Sequence, residues 1–525
     1  MKKITDFLLK PFADNLMLFL ALWLLASSAD GYYWCRHGYL DIALYRTMYG
    51  FIQCYLIVLL MGLLKPGAFR IVRVVFIFLG FVNMIGDTCI HAILHDDFSD
   101  LSIPLITGTN AAETSEFFPT YINARIVGFV LAVSLLVLLC ILFRRRVKAG
   151  KWLSYSMCAV LLASILTVSI KKSTDWDGTY MDKARLFIMH ESIRDLSGKE
   201  LPDPQIEYTD NNTPENIVLV IGESLSKRHC SLYGYSKPTT PCLDSLYKAG
   251  ELIRFDNVEA AYVSTVEAFK SMMTTFHHDY SGKWYDYPNL LAVMHKAGYS
   301  TRWVSNQSNA NMGENVVAAI GNLADSTIWA GSSKGLSLET SYDGCVLPHI
   351  SRILADGRDS SLFLVTHLMG QHENFVNRFP PESARFVQDD YSDHPLKHRK
   401  NLCNYDNAVA YGDSVVLAIF REFRDKDALV LFFPDHSIDI YDSDPTYCGH
   451  ARDTDPVSRA AGREIPFVAY PSPLFRELHP EKVAALKAGV NKKFNMADLI
   501  YTVMDIAGVR FEDEGADAGN SLMRP

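Results

Sequence analysis

The stretch Asn216-Ile-Val-Leu-Val-Ile-Gly-Glu-Ser-Leu-Ser-Lys-Arg-His-Cys-Ser-Leu-Tyr-Gly-Tyr235 decides how this chain is read. Its apolar, β-branched run at 217–221 has the length of one buried strand, and Gly222, Glu223 and Ser224 follow at once. An open α/β sheet gathers its ligands in the crevice beyond the carboxyl ends of its strands. A carboxylate just past such a strand is therefore placed to hold a metal ion. Glu223 would equally suit a capping turn, and a single motif does not decide between the two.

Working outward, apolar runs at 300–304, 362–365, 428–433 and 465–470 alternate with helix-patterned stretches at 241–249, 265–275, 288–297, 404–423 and 497–507. The alternation predicts a mostly parallel sheet covered on both faces. Candidate ligands gather just after the strands. Asp435 and His436 follow the run 428–433 after Pro434, and supply one hard oxygen and one imidazole, a mixture suited to zinc with an open position. His367 and His372 follow the run 362–365, and His450 lies downstream. A lone histidine is usually an ordinary polar residue, but three of them and an Asp-His pair after separate strands form a candidate site. Spacing alone does not show that they converge. Thr265, in Ser264-Thr265-Val266-Glu267, heads a helix pattern where free amides and the helix dipole favour a phosphate; an ordinary cap fits the same position.

Upstream the chemistry changes. Hydrophobic residues make up 49% of the 525, and the excess is concentrated before about residue 170. Five apolar segments, at 13–30, 39–64, 70–94, 125–143 and 152–170, each approach the ~20 residues needed to cross a bilayer. Lys2, Lys3 and Lys10 precede the first, Lys65 and Arg70 sit between the second and third, and Arg144, Arg145, Arg146, Lys148 and Lys151 lie between the fourth and fifth. The positive-inside rule makes these connections cytoplasmic and puts the C-terminal half outside. Asp87 and His91, one helical turn apart in the third segment, are read as sitting near its outer end and reaching water. Residues 173–213 read as a linker, with an amphipathic piece at 181–196 that could lie on the membrane surface. The formal net charge of -9 offers no basic footprint for nucleic acid. Ten cysteines without a CxxC pair give no thiolate metal site, and any disulfide pairing is not readable.

Six motifs then stand in order: Ile221-Gly-Glu-Ser224 with Leu232-Tyr-Gly-Tyr235 and Thr240-Pro241; Thr265-Val-Glu-Ala268; His367-Leu-Met-Gly-Gln-His372; Tyr405-Asp-Asn407; Asp435-His436; and Glu464-Ile-Pro-Phe467. Through them the chain resembles the phosphoethanolamine transferases of the bacterial envelope, over nearly its full length. The resemblance implies a five-span α-helical membrane domain at 1–172, the linker at 173–213, and at 214–525 an α/β domain of alkaline phosphatase/sulfatase type. It implies the inner membrane as location, with the catalytic domain in the periplasm. It makes Glu223, Thr265, Asp435 and His436 the ligands of zinc, one or two ions, with Thr265 as nucleophile. His372 and His450 would bind the phosphoryl group or a second metal. Thr109 and Glu113, in Thr109-Asn110-Ala-Ala-Glu113, match an element that would touch the ethanolamine head. The implied reaction carries phosphoethanolamine from phosphatidylethanolamine, through a phosphothreonine-type intermediate, to lipid A or a core sugar of lipopolysaccharide. Ser437 stands where relatives acting on lipid A usually have Gly, and no Lys occurs between Arg302 and Lys334, so the acceptor stays open. A type I sulfatase is disfavoured, because there is no Cys-x-Pro-x-Arg. A glycerol-phosphate transferase, a phosphodiesterase and a non-catalytic envelope scaffold are the alternatives.

Overall fold

A computed structural model describes residues 2–36, 39–93, 122–144, 147, 149–171, 201–277, 282–307, 316–331, 341–357, 361–450, 456–512 and 520–524. The amphipathic piece at 181–196, Thr109 and Glu113 lie outside them. The chain divides into two compact units, one helical and one α/β.

The helical unit comprises α1 (Lys2–Ala13), α2 (Leu16–Arg36), α3 (Leu40–Met61), α4 (Pro66–Ile93), α5 (Ala124–Phe143) and α6 (Lys151–Lys171). From α2 onward, each is long and apolar enough to cross a membrane, and the protein is a multi-pass membrane protein. Large apolar side chains such as Ile71, Phe78, Leu131 and Leu162 are exposed, as a hydrocarbon solvent allows. The first span starts at Leu16 rather than 13, because α1 is a separate helix that the hydropathy pattern did not reveal. Phe12 of α1 is buried, with ring centroids 5.0 Å from Phe19 and 5.3 Å from Tyr55.

Asp87 and His91 do not reach water. Both are buried; His91 Nε2 lies 2.9 Å from Asp30 Oδ1 on α2, and its ring stacks on Tyr33 at 4.4 Å. Asn83 donates to Asp87 at 2.9 Å. Facing lipid would cost each group its partners, so they turn inward between helices instead.

In the α/β unit the strands are β1 (Ile206–Tyr208), β2 (Asn216–Gly222), β3 (Ile253–Phe255), β4 (Val258–Glu259), β5 (Ser300–Ser305), β6 (Ser326–Trp329), β7 (Leu362–His367), β8 (Ala428–Pro434), β9 (Asp439–Ile440), β10 (Cys448–Gly449), β11 (Phe467–Pro471), β12 (Phe494–Asn495) and β13 (Val509–Phe511). Seven of them form one sheet in the order β3-β11-β8-β2-β7-β5-β6. The expected mostly parallel sheet is present: β8, β2, β7, β5 and β6 are parallel, and β11 runs antiparallel to both β8 and β3. β3 and β6 escaped the sequence reading, being too short to show a period.

Side-chain alternation gives the central strands two buried faces. Ile217, Leu219 and Ile221 pack on one side with Phe363, Val365, Leu429 and Leu431; Val218 and Val220 pack on the other with Leu364, Val430 and Phe432. Each such side chain contributes about 1.5–3 kcal/mol by leaving water. Strand β1, inside the stretch read as linker, pairs antiparallel with β13, so Ile206–Tyr208 belongs to the folded unit. All ten cysteines are free thiols.

Candidate active site

Register decides which residues meet. Ile221 lies opposite His367 of β7, and Gly222 opposite Pro434 of β8. The chain segments carrying Glu223, Leu368 and Asp435 therefore leave the sheet at the same end. The crossing is fastened by backbone bonds, Asp435 N–H to the Gly222 carbonyl at 3.0 Å and Leu368 N–H to that of Ile221 at 2.9 Å.

Glu223, Asp435 and His436 are all buried, and each offers a ligand atom within 4.8 Å of the others. His436 Nε2 lies 3.3 Å from Glu223 Oε1 and 3.7 Å from Asp435 Oδ2. Its Nδ1 lies 2.7 Å from the Ser437 carbonyl, which places a proton on Nδ1. Asp435 Oδ2 is buried without a hydrogen-bond partner. The electrostatics describe a crowded anionic pocket. Burial would raise Glu223, but the hydrogen bond and charge of His436 hold it well below the usual carboxylate range. Burial and the Glu223 charge push Asp435 up to about 7. Burial alone would lower His436; the carboxylates Asp435 and Glu223 outweigh it and push it up to about 9. Two carboxylates and an imidazole, with one oxygen orphaned, form a donor set that fits a zinc-type cation.

Thr265 opens the helix Thr265–Met272, directly after Ser264 in extended conformation. Its Oγ1 donates to Glu223 Oε2 at 3.1 Å and lies 3.3 Å from His436 Nε2. The four residues Glu223, Thr265, Asp435 and His436 are thus brought together by two strand ends and one helix start.

The loop after β7 closes over Glu223. Gly370 has φ +50°, and Gln371 N–H donates to the Glu223 carbonyl at 2.9 Å. Asp343 holds this loop: its Oδ1 accepts from Met369 N at 2.7 Å and from Asn306 Nδ2 at 2.8 Å, and its Oδ2 from Gly370 N at 2.9 Å. His372 follows, near enough for its charge to act on both Glu223 and His450. Its Nδ1 is buried without a partner. The His450 ring centroid is 5.0 Å from that of His436. Burial, then the charges of His436 and His372, lower its pKa to about 3, so His450 is a neutral ring. His367 is different. It ends β7 with its ring 4.8 Å from that of Phe269, burial lowers its pKa to about 4, and it stands outside the ligand group.

Three residues near the site were not anticipated. Ser224, at φ +56°, donates from Oγ to Glu223 Oε1 at 2.7 Å and from its amide to Asp435 Oδ1 at 3.3 Å. Gln307 Nε2 donates to Glu223 Oε2 at 3.2 Å; it sits two residues past β5, where the strand-end argument applied to Glu223 would have found it. Glu373 adjoins His372, and burial pushes its carboxyl up to about 8 against the pull of His436.

A family model described as Sulfatase matches residues 215–509, more than half of the chain. The chain belongs to the Sulfatase family. The matched range of that family holds every ligand candidate from Glu223 to His450. Among curated proteins the chain is similar to phosphoethanolamine transferase EptC of Escherichia coli (strain K12), 26% identical over 472 residues, covering 83% of this chain and 79% of the relative. Among solved structures it is similar to the C-terminal periplasmic domain of E. coli EptC in complex with Zn, with TM-score 0.56 and 27% identity over 62% of this chain and 91% of that one. The integral membrane protein lipooligosaccharide phosphoethanolamine transferase A from Neisseria meningitidis matches with TM-score 0.69 and 19% identity over 95% of this chain and 96% of that chain. That likeness is one of fold, and it covers both the membrane helices and the Sulfatase-family α/β unit.

Proposed function

We propose that this protein is a phosphoethanolamine transferase that takes the group from phosphatidylethanolamine and delivers it to lipid A or a core sugar of lipopolysaccharide. The observation that carries the reading is the meeting of the Thr265 hydroxyl with Glu223, Asp435 and His436. The name of the curated relative, a phosphoethanolamine transferase, supports the substrate class.

One or two zinc ions, held by Glu223, Thr265, Asp435 and His436 and in part by His372 and His450, would supply positive charge that favours the ionised hydroxyl and offsets charge on the phosphoryl oxygens. The chain's own groups do the rest. Glu223 Oε2 holds the Thr265 proton, and the helix start orients Oγ1 for in-line attack on phosphorus. The phosphorus–oxygen bond to diacylglycerol breaks, and that oxygen leaves with the proton that Thr265 gave up. Phosphoethanolamine is then esterified to Thr265. An acceptor hydroxyl or phosphate displaces Thr265 in the second step. His372 and His450 would orient the phosphoryl oxygens, and Thr109 and Glu113 would recognise the ethanolamine head, the task the resemblance gives them. In this reading residues 1–172 sit in the bacterial inner membrane, and 214–525, together with strand β1 at Ile206–Tyr208, act in the periplasm on a donor that never leaves the bilayer.

Intact-mass measurement of the detergent-extracted protein after incubation with phosphatidylethanolamine tests this. The expected result is one phosphoethanolamine on Thr265 in the wild type and none on Thr265→Ala. An adduct formed from phosphatidylglycerol instead would make the protein a glycerol-phosphate transferase.

A further inference from the structure

Tyr405-Asp406-Asn407 was singled out in the sequence, but the proposed reaction gives it no task. All three residues are buried in one turn of the helix Leu396–Glu422. Asp406 ties down the chain on one side, with Oδ1 2.8 Å from His229 Nδ1 and Oδ2 accepting from the hydroxyls of Tyr235 and Tyr391 at 2.8 and 2.6 Å. Asn407 fixes another segment, its Oδ1 accepting from Arg385 N at 2.6 Å and Phe386 N at 2.9 Å. Neither touches the ligand group.

Tyr405 reaches the other way. Its hydroxyl donates to the Ser224 carbonyl at 2.9 Å and accepts from Ser226 N–H at 2.8 Å. Edge contacts with Phe375 and His229, at 5.0 and 5.1 Å between centroids, fix the ring. The turn it grips is a strained one, because Ser224 has φ +56°, a left-handed conformation that a residue with a Cβ keeps only when its surroundings impose it. That conformation has a use: it aims the Ser224 hydroxyl at Glu223 and the Ser224 amide at Asp435, one donor for each candidate ligand carboxylate.

We propose that Tyr405 is a positioning residue, whose hydroxyl holds Ser224 in the left-handed conformation and so orients Glu223 and Asp435 toward the metal and Thr265. This rests on the reading of the site as a zinc centre. Groups that orient metal ligands from behind typically change metal affinity or activity by 10- to 100-fold when removed.

The test uses the full-length protein in detergent, as wild type, Tyr405→Phe, Ser224→Gly and the double variant. Zinc affinity is read by competition with a chromogenic chelator, alongside kcat, KM and the thermal midpoint in excess chelator. Tyr405→Phe keeps the ring and removes one oxygen. It should bind zinc roughly 10- to 100-fold more weakly, with a matching fall in kcat, little change in KM for the lipid donor, and an almost unchanged midpoint without metal. Glycine adopts positive φ without strain, so in the Ser224→Gly background the same substitution should cost much less. Zinc affinity unchanged in Tyr405→Phe, or an equal loss in both backgrounds, would overturn the inference and leave Tyr405 as packing. A wild type that binds no zinc would overturn the metal reading itself, and the inference with it.

Discussion

Gly370 and Glu223 are packed backbone against backbone: a Cβ on Gly370 would stand 2.6 Å from the Glu223 amide nitrogen and 2.7 Å from its carbonyl oxygen. Neither atom can rotate aside, and φ at Gly370 is +50°. Gly370→Ala therefore meets two obstacles, a left-handed conformation costing ~1–2 kcal/mol and a forced shift of a candidate ligand. We expect a lower thermal midpoint and a loss of transfer larger than the midpoint change would explain, measured on the same preparation.

Asp343 receives three donors, from Met369 N, Gly370 N and Asn306 Nδ2. Asp343→Asn replaces one acceptor oxygen by an NH₂ group that must face a donor. An unsatisfied buried group costs about 1–3 kcal/mol, and denaturant midpoints should show a destabilisation of that size. Because the loop carries His372, transfer activity should fall as well. Wild-type stability in the variant would mean that the loop is held by other contacts.

At position 265 the hydroxyl, rather than the shape, should matter. Thr265→Ser keeps the oxygen and is expected to form the covalent adduct, more slowly. Thr265→Val keeps the shape and should form none, with a thermal midpoint in excess chelator close to that of wild type, since Thr265 is only half-buried. Adduct on the valine variant, located by peptide mass, would move the nucleophile elsewhere.

Removing metal should destabilise the protein, because Glu223 and Asp435 are then buried side by side. A bound ion at a hundredfold excess over its Kd contributes about 2.7 kcal/mol. Chelator should thus lower the wild-type midpoint reversibly, with zinc restoring it. Asp435→Asn, with one charge fewer in the pocket, should show a smaller drop.

His229 sets a pH dependence away from the metal. Although burial would lower its pKa, Asp406 and then Asp442 outweigh that and raise it above 6.5. A raised folded-state value means the stabilisation is fully present below the unfolded value and is lost as pH rises through the folded one. The stability advantage of wild type over His229→Asn should accordingly shrink as pH is raised above 6.5. Thermal melts of both proteins across that range decide it; a gap that widens with pH would contradict the assignment.

Much of this was legible in the residues, for identifiable reasons. Runs such as 217–221 and 428–433 are buried on both faces and so lack polar interruptions, which makes central strands easy to see. Glu223, Asp435 and His436 were found because strand ends are where ligands collect. Edge strands β3 and β6 and helix α1 were not seen, since three or four residues carry no period and α1 mixes charge with apolar groups. His91 was misread because its partner, Asp30, lies 61 positions away along the chain; Asp87 turns inward with it, accepting from Asn83. Ser224, Asp343 and Tyr405 each act at least in part through a backbone amide or carbonyl, and no residue type announces such a contact in advance.

The alignment of Gly222 with Pro434 has a further consequence for how such a site can persist through sequence change. Neighbouring strands lie ~4.8 Å apart whatever side chains they carry. The gap between the Glu223 and Asp435 backbones is thus metered by a peptide repeat, not by the fit of particular core residues. Substitutions in the layers above and below can accumulate without altering that ruler, whereas inserting or deleting a single residue at either strand end would move a carboxylate off its mark.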